Sequence, residues 1–275
     1  MIPDLAELEA LARGAGEILR AAYPARPGFG AALPIDYKGV IDLVTPVDLR
    51  SEAFLLEKIR ERYPAHRIVS EEKGLKEAQG GDIWFIDPLD GTVNYAHGVP
   101  VFSVSIAFSS EDQMRLAVVY DPLRDECFSA ERGGGAWLNG EPIRVGAAAD
   151  LNHSLLVTGF AYDIRSTRAN NLDHFQRFAL CTQGVRRMGS AALDLCSVAA
   201  GRFDGYWELS ISPWDIAAGG LVAEQAGAVV TAVAGNADYL TTPASILAAN
   251  PRIHAQMLAV LNNHPPQAGG EPTGS

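Results

Sequence analysis

Cysteine is scarce in this chain, and its distribution excludes two common kinds of site. Cys127, Cys181 and Cys196 are odd in number, far apart and without CxxC spacing. Such a set indicates neither a disulfide framework nor a zinc site. It fits a reducing compartment, and we expect a cytoplasmic protein.

Long apolar runs are absent as well. No stretch approaches the length that crosses a bilayer, and Asp4, Glu7 and Glu9 interrupt the apolar pattern at the N-terminus. A secretory signal would not tolerate those acids. We therefore expect a soluble protein with no membrane partner.

Basic residues are fewer than acidic ones. The 22 Lys and Arg residues against 33 Asp and Glu give a formal net charge of -11. This balance argues against a polyanion-binding surface, so no nucleic-acid partner is expected. The 275 residues, 48% of them hydrophobic, are enough to bury a substantial core.

Apolar periodicity and turn residues divide the chain into helices and strands. Helices are predicted over 4–22, 46–63, 171–181, 190–200, 216–226 and 251–261, and strands over 67–69, 83–86, 102–108, 116–120, 126–130, 136–138, 155–158, 185–188, 205–209, 228–233 and 246–249. The first half predicts an antiparallel meander, and the alternation of strand and helix in the second half predicts an α/β layer. The Pro- and Gly-rich segment 24–39 is predicted to be a loop, with Lys38 near its end as a candidate to face an anion.

The densest group of reactive side chains lies in residues 83–100, IWFIDPLDGTVNYAHGVP. Its first four residues are typical of a buried strand that stops before Asp87, and Pro88 then requires a turn. In such a turn the carboxylates of Asp87 and Asp90 can converge with the carbonyl of Leu89. All three groups offer oxygen, the ligand that Mg²⁺ prefers.

Anion donors follow these two aspartates. Gly91 lets the backbone approach a ligand closely, and the N–H groups of Gly91 and Thr92 would face an anion if a short helix begins there. A cation site beside anion donors indicates phosphate chemistry. The alternative is an ordinary turn, since Asp, Pro and Gly are common turn residues. The functional interpretation is favoured because six residues contain two carboxylates, a proline, a glycine and a hydroxyl.

Three further acids stand where a strand or loop meets a helix or turn. Glu71 follows the strand at 67–69, Asp48 completes a capping box with Thr45, and Asp215 lies near the start of a helix. Taken alone, each has a structural explanation: a solvated loop, a helix cap and a favourable charge at a helix N-terminus. Taken with the two aspartates above, they are candidates for one site.

Two segments resemble the sequence motifs of the inositol monophosphatase family. WFIDPLDGTVNYAHGVP is similar to the first motif and WDIAAGGLVAEQAGAVV to the second, and segments 41–72 and 189–208 fall in the family's order. The resemblance covers nearly the whole chain. It implies an α/β fold, namely a layered αβαβα sandwich with a mixed N-terminal sheet and a smaller C-terminal sheet, and a homodimer.

The resemblance also implies how the chain is divided. We expect a single domain of this family over 1–263, made of an N-terminal half of about 1–145 and a C-terminal half of about 146–263. The polar residues 264–275 are expected to form a disordered tail.

Roles for individual residues follow from the same resemblance. It implies two or three Mg²⁺ ions per subunit, held by Glu71, Asp87, the Leu89 carbonyl, Asp90 and Asp215. It implies catalytic roles for Asp48, Glu71 and Thr92, phosphate binding by the amides of Gly91 and Thr92, and substrate binding by Gly189, Ser190, Ala191 and Glu208. Clustered carboxylates raise one another's pKa unless cations neutralise them, so this cluster itself predicts metal ions.

These residues predict a Mg²⁺-dependent phosphomonoesterase that hydrolyses inositol 1-phosphate, or a similar small sugar or polyol phosphate, by direct attack of a metal-activated water. The same chemistry on fructose 1,6-bisphosphate, 3'-phosphoadenosine 5'-phosphate, NADP or histidinol phosphate is an alternative. An aspartyl-phosphate mechanism of the haloacid dehalogenase type is rejected, because its motif needs two aspartates two residues apart and here they are three apart. A regulatory binding protein with residual phosphatase activity is the second alternative.

Overall fold

A computed structural model describes residues 2–23, 36–37, 43–72, 74–76, 81–167 and 170–262. Within them, the helices are α1 (Leu5–Ala22), α2 (Pro46–Arg62), α3 (Thr92–Ala96), α4 (Leu172–Cys181), α5 (Ala191–Ala199), α6 (Pro213–Gln225) and α7 (His254–Leu261), with a 3₁₀ turn at Leu151–His153. The strands are β1 (Asp36–Tyr37), β2 (Leu43–Val44), β3 (Arg67–Ser70), β4 (Gly74–Lys76), β5 (Ile83–Asp90), β6 (Ser103–Ser110), β7 (Gln113–Asp121), β8 (Glu126–Glu131), β9 (Gly135–Leu138), β10 (Glu141–Pro142), β11 (Leu155–Thr158), β12 (Gly184–Arg186), β13 (Gly205–Ile211), β14 (Val229–Thr231) and β15 (Ala244–Ala249).

Two sheets of unequal size carry the fold. The larger one has eight strands in the order β10-β9-β8-β7-β6-β5-β3-β4, and the smaller has five in the order β12-β11-β13-β15-β14. The larger sheet is antiparallel except where β3 runs parallel to β5, while β11 pairs in parallel with both β12 and β13. The predicted meander and the predicted α/β fold with a mixed larger sheet and a smaller second sheet are confirmed.

Helices cover both faces of both sheets, which produces the predicted αβαβα order of layers. Helices α1 and α2 pack on the outer face of the larger sheet, α5 and α6 lie between the sheets, and α4 and α7 pack on the outer face of the smaller sheet. Along β13 the side chains alternate accordingly. Tyr206 joins the core between the sheets, and Trp207 joins the outer core with Phe178.

Local capping chemistry sets where several helices begin. In α2 the Asp48 side chain and the Thr45 side chain form the predicted capping box, with Pro46 in the first turn. Helix α6 begins at Pro213, three residues before its predicted start, because Ser212 and Asp215 form a second capping box there. Helix α7 begins at His254 rather than at residue 251.

The strand that leads into the candidate site is longer than predicted. Rather than stopping before Asp87, β5 continues to Asp90, where pairing with β6 resumes opposite Ser103. The register shifts between Asp87 and Asp90, so the proline between them, which has no N–H to donate, falls in the irregular part of the ladder. The sequence pattern predicted the turn but not the renewed pairing.

Some predictions concern parts of the chain outside the described residues. Most of the predicted loop at 24–39, including Lys38, is among them, as is the predicted tail at 264–275. Two residues of that loop are described, and they form β1, which pairs antiparallel with β2. No helix in the described part of the chain has both the length and the apolar character needed to cross a membrane.

Candidate active site

A cavity of about 230 Å³ lies at the irregular end of β5. Every residue given a site role from the sequence lines this cavity except one, namely Glu71, Asp87, Leu89, Asp90, Gly91, Thr92, Gly189, Ser190, Ala191, Glu208 and Asp215. The exception is Asp48, which is completely buried directly behind Thr92. Residues spread over 168 positions are thus brought to one place (48 to 215).

Asp90 joins the two halves of the chain. Its carboxylate accepts hydrogen bonds from the Ser190 hydroxyl at 2.5 Å and from the amides of Ala191 and Ala192 at 3.2 and 2.9 Å. Ser103 Oγ lies 3.3 Å from the same carboxylate. The negative side chain therefore sits at the N-terminus of α5, where free N–H groups and the helix dipole favour it.

Thr92 and Asp48 form a hydrogen-bonded pair beneath the cavity. Thr92 Oγ1 lies 2.9 Å from Asp48 Oδ1 and 3.0 Å from the Leu89 carbonyl oxygen, so its single proton can be donated to either acceptor. The other Asp48 oxygen accepts from the amide and hydroxyl of Thr45. Burial raises the pKa of Asp48, and the hydrogen bonds from Thr45 and Thr92 oppose that rise.

Burial and mutual repulsion both act on the acidic group, and burial has the larger effect. Burial, followed by the charges of Glu71, Asp90 and Asp215, raises the pKa of Asp87 well above its usual range. Burial and the charges of Glu71 and Asp90 do the same to the pKa of Asp215. Ionised together, these carboxylates destabilise one another unless a cation is placed among them.

The available donor atoms suit a hard divalent cation. They are carboxylate oxygens and the Leu89 carbonyl, and such oxygens are the ligands of Mg²⁺. In their present arrangement, no three His, Cys, Asp or Glu side chains of the described residues form a ready metal site. Asp87 Oδ1 accepts the Leu89 amide at 2.9 Å, and both Asp90 oxygens are engaged at α5. A cation would have to compete with these hydrogen bonds, so the metal-ligand roles remain predictions.

Gly91 has a backbone conformation that suits glycine alone. Its φ is 92° and it is the N-cap of α3, so a short helix does begin at Thr92. A Cβ at Gly91 would lie 3.0 Å from the Val101 carbonyl oxygen and 3.2 Å from that of Gly189. Glycine thus permits the close approach of three chain segments. Phosphate binding by the amides of Gly91 and Thr92 stays a prediction.

Glu208 occupies the part of the cavity predicted to meet substrate. Burial raises the pKa of Glu208 to about 7, although the Tyr206 hydroxyl, which donates to Glu208 Oε2, and the Arg187 charge both lower it. A Cβ at position 159 would lie 2.0 Å from Glu208 Oε2, so Gly159 leaves the space that the carboxylate fills.

Sequence reasoning missed other residues that line the cavity, chiefly Asp194 and Arg187. Asp194 lies in the first turn of α5 and is only 2 % exposed. Its signal in the sequence was a single acid within the otherwise apolar stretch AALDLC. A carboxylate on the buried face of an apolar helix is unusual enough to flag a site.

Comparisons with known proteins match the chain to one family. Residues 3–265 match the family model described as "Inositol monophosphatase family". The chain is 48% identical over 221 residues to a Synechocystis protein named inositol-1-monophosphatase, covering 80% of this chain and 77% of that one. It is 42% identical over 249 residues to Escherichia coli Nus factor SuhB, covering 90% and 91%. The structure of inositol monophosphatase from Anabaena superimposes with a TM-score of 0.84 at 43% identity, covering 95% of this chain and 96% of that one.

Proposed function

This chain belongs to the inositol monophosphatase family, a family of metal-dependent phosphomonoesterases, and we propose that it hydrolyses inositol 1-phosphate or a similar small polyol or sugar phosphate. The observation that carries the proposal is the cavity in which Asp87, Asp90 and Asp215 face the same space as Glu208. The first three suit cations that bind a phosphate, and the fourth suits the hydroxyl groups of the alcohol.

We assign the metal site to residues that line the cavity. Glu71, Asp87, the Leu89 carbonyl, Asp90 and Asp215 would hold two or three Mg²⁺ ions. When bound there, the ions would lower the pKa of water and neutralise charge on the phosphate and the leaving oxygen. The proposed homodimer follows from the family resemblance alone.

Thr92 and Asp48 are proposed to orient the attacking water. With its proton donated to Asp48, the Thr92 oxygen can accept a hydrogen bond from that water and fix its direction. Asp48 can hold a proton passed through the hydroxyl because burial raises its pKa. Neither residue needs to form a covalent bond to phosphorus, so we expect in-line displacement with inversion at phosphorus.

Thr92→Val is expected to lower kcat by about 10²- to 10³-fold with little change in KM, because it removes the hydroxyl and keeps the side-chain shape. Thr92→Ser keeps the hydroxyl and should retain most of the activity. Steady-state kinetics with inositol 1-phosphate, together with melting temperatures of all three proteins, would check this. A Thr92→Val enzyme that folds and keeps its kcat would remove Thr92 from the mechanism.

A substrate panel tests the proposed activity directly. Phosphate release would be measured from inositol 1-phosphate, fructose 1,6-bisphosphate, 3'-phosphoadenosine 5'-phosphate, NADP and histidinol phosphate, with Mg²⁺ and with EDTA. We expect Mg²⁺-dependent turnover that is fastest with inositol 1-phosphate. A different preferred substrate would keep the chemistry and correct the specificity.

The same panel addresses the regulatory alternative, which the name of the Escherichia coli relative keeps open. Absence of turnover from folded protein in Mg²⁺, on every substrate, would contradict the enzymatic proposal. A binding partner retained by both the wild type and Asp90→Asn would then favour a regulatory role.

A further inference from the structure

Asp194 is a buried carboxylate that the steps above do not use. It is 2 % exposed, lies in α5 and lines the cavity beside Glu208 and Arg187. Within the described part of the chain no hydrogen bond to its carboxylate is found; its neighbours Asp90, Glu208 and Arg187 act on it through charge alone. The side chain therefore offers its oxygens to the cavity and to whatever fills it.

Capping of α5 does not explain this residue. The N-terminal amides of α5 already have acceptors, because Asp90 accepts from Ala191 and Ala192 and the Ser190 side chain accepts from Leu193. A second acid near the same turn adds repulsion, since burial and then the charge of Asp90 raise the pKa of Asp194. A buried carboxylate without a hydrogen-bond donor costs free energy, and such a group beside a cavity points to a ligand that supplies the donor.

We propose that Asp194 is a substrate-binding residue that, with Glu208, accepts hydrogen bonds from two hydroxyl groups of a polyol phosphate. This inference rests on the proposed function and assigns its specificity to a pair of acceptors rather than to Glu208 alone. One Glu208 oxygen already receives the Tyr206 hydroxyl, so a second carboxylate gives a polyhydroxylated substrate a second acceptor.

The surroundings of the pair favour hydroxyl groups over an ammonium group. The guanidinium of Arg187 acts on both carboxylates and lines the same cavity, so a positive charge is already present there. A cationic substrate group would meet that guanidinium as well as the two acids. Neutral hydroxyl groups can donate to both carboxylates without that repulsion.

The test compares two variants on matched substrates. Asp194→Asn would be assayed with inositol 1-phosphate and with 4-nitrophenyl phosphate, whose alcohol part has no hydroxyl groups. We expect kcat/KM for inositol 1-phosphate to fall about 10- to 100-fold, mainly through KM, because a hydrogen bond to a charged acceptor becomes a weaker one to a neutral amide. For 4-nitrophenyl phosphate, kcat/KM should stay within about twofold. Glu224→Gln, at a partly buried acid at the far end of α6 paired with Arg132, is the control and should change neither substrate's kinetics.

Three results would overturn the inference and leave the proposed function in place. Equal losses on both substrates would make Asp194 structural, as would unchanged kinetics on both. A larger loss for 2-aminoethyl phosphate than for inositol 1-phosphate would make the pair an ammonium site. If Asp194→Asn does not fold, Asp194→Ser removes the same charge within a smaller side chain and takes its place. Failure of the wild type itself to hydrolyse inositol 1-phosphate, while it hydrolyses 4-nitrophenyl phosphate, would instead overturn the proposed function, and the inference with it.

Discussion

Asp87→Asn is expected to lower kcat/KM by about 10³-fold or more and, at the same time, to raise the melting temperature of the metal-free protein. The loss of activity follows from the removal of a charged ligand from the proposed metal site, where several kcal/mol of charge stabilisation is at stake. The gain in stability follows because burial and three neighbouring acids raise the pKa of Asp87, so its ionised form is destabilising at neutral pH.

Asparagine suits this substitution because it removes the negative charge and keeps the size of the side chain and one accepting oxygen. The Leu89 amide donates to Asp87 Oδ1 at 2.9 Å, and the asparagine oxygen can accept the same bond. We expect a gain of about 0.5 to 2 kcal/mol in the free energy of unfolding, which corresponds to a few degrees in a chain of this size. Thermal melts in EDTA and phosphate-release kinetics in Mg²⁺ would measure the two effects separately.

A buried acid outside the site provides the matched control. Asp121 is 2 % exposed, accepts the amides of Leu123 and Arg124 and forms an ion pair with the Arg124 side chain. Asp121→Asn should therefore lower the melting temperature and leave kcat/KM unchanged, the opposite of Asp87→Asn in both respects. A fall in the melting temperature of metal-free Asp87→Asn would show that its charge is already compensated without metal.

The parts of the site that were predictable from sequence are those fixed by short-range chemistry. The capping box of Asp48 with Thr45 spans four residues, and the run from Asp87 to Thr92 spans six, so one window of sequence contains both partners. The fold class was predictable for a similar reason, because strand and helix periods differ along the chain. Even so, local pattern did not place the end of β5, since its renewed pairing depends on Ser103 in another strand.

Long-range contacts could not be predicted in this way. Asp90 and Ser190 are 100 residues apart, and their 2.5 Å hydrogen bond arises only once α5 packs between the sheets. Asp194 was missed because its apolar neighbours on α5 are typical of a core helix. One face of α5 meets the cavity because β13, which carries Glu208, lines the same space. The proposed metal ligands were identified because each stands near the predicted start or end of an element, whereas Asp194 stands inside a predicted helix.

Mg²⁺ is expected to raise the melting temperature much more at pH 8 than at pH 5. The pKa values of Asp87, Asp90 and Asp215 are raised in the folded protein, so the folded state binds more protons than the unfolded state as the pH falls toward those values. The metal-free fold thus gains stability from these groups as the pH falls and loses it as the pH rises. At pH 8 a cation binds the ionised carboxylates and adds stability to the fold. At pH 5 the cation must first displace protons from the same carboxylates, so it adds less.

The experiment compares melting temperatures across this pH range in Mg²⁺ and in EDTA, for the wild type and for Asp87→Asn. Comparison with the variant separates the site from other titrating groups, which act equally on both proteins. In EDTA the variant should melt higher than the wild type at pH 8, and this advantage should shrink toward pH 5 as protonation of Asp87 removes the same charge. In Mg²⁺ at pH 8 the order should reverse, because only the wild type offers the full set of charged ligands. An advantage in EDTA that does not change with pH would mean that the Asp87 carboxylate is not the repelled group, and the metal site would then have to be built from the other acids of the cavity.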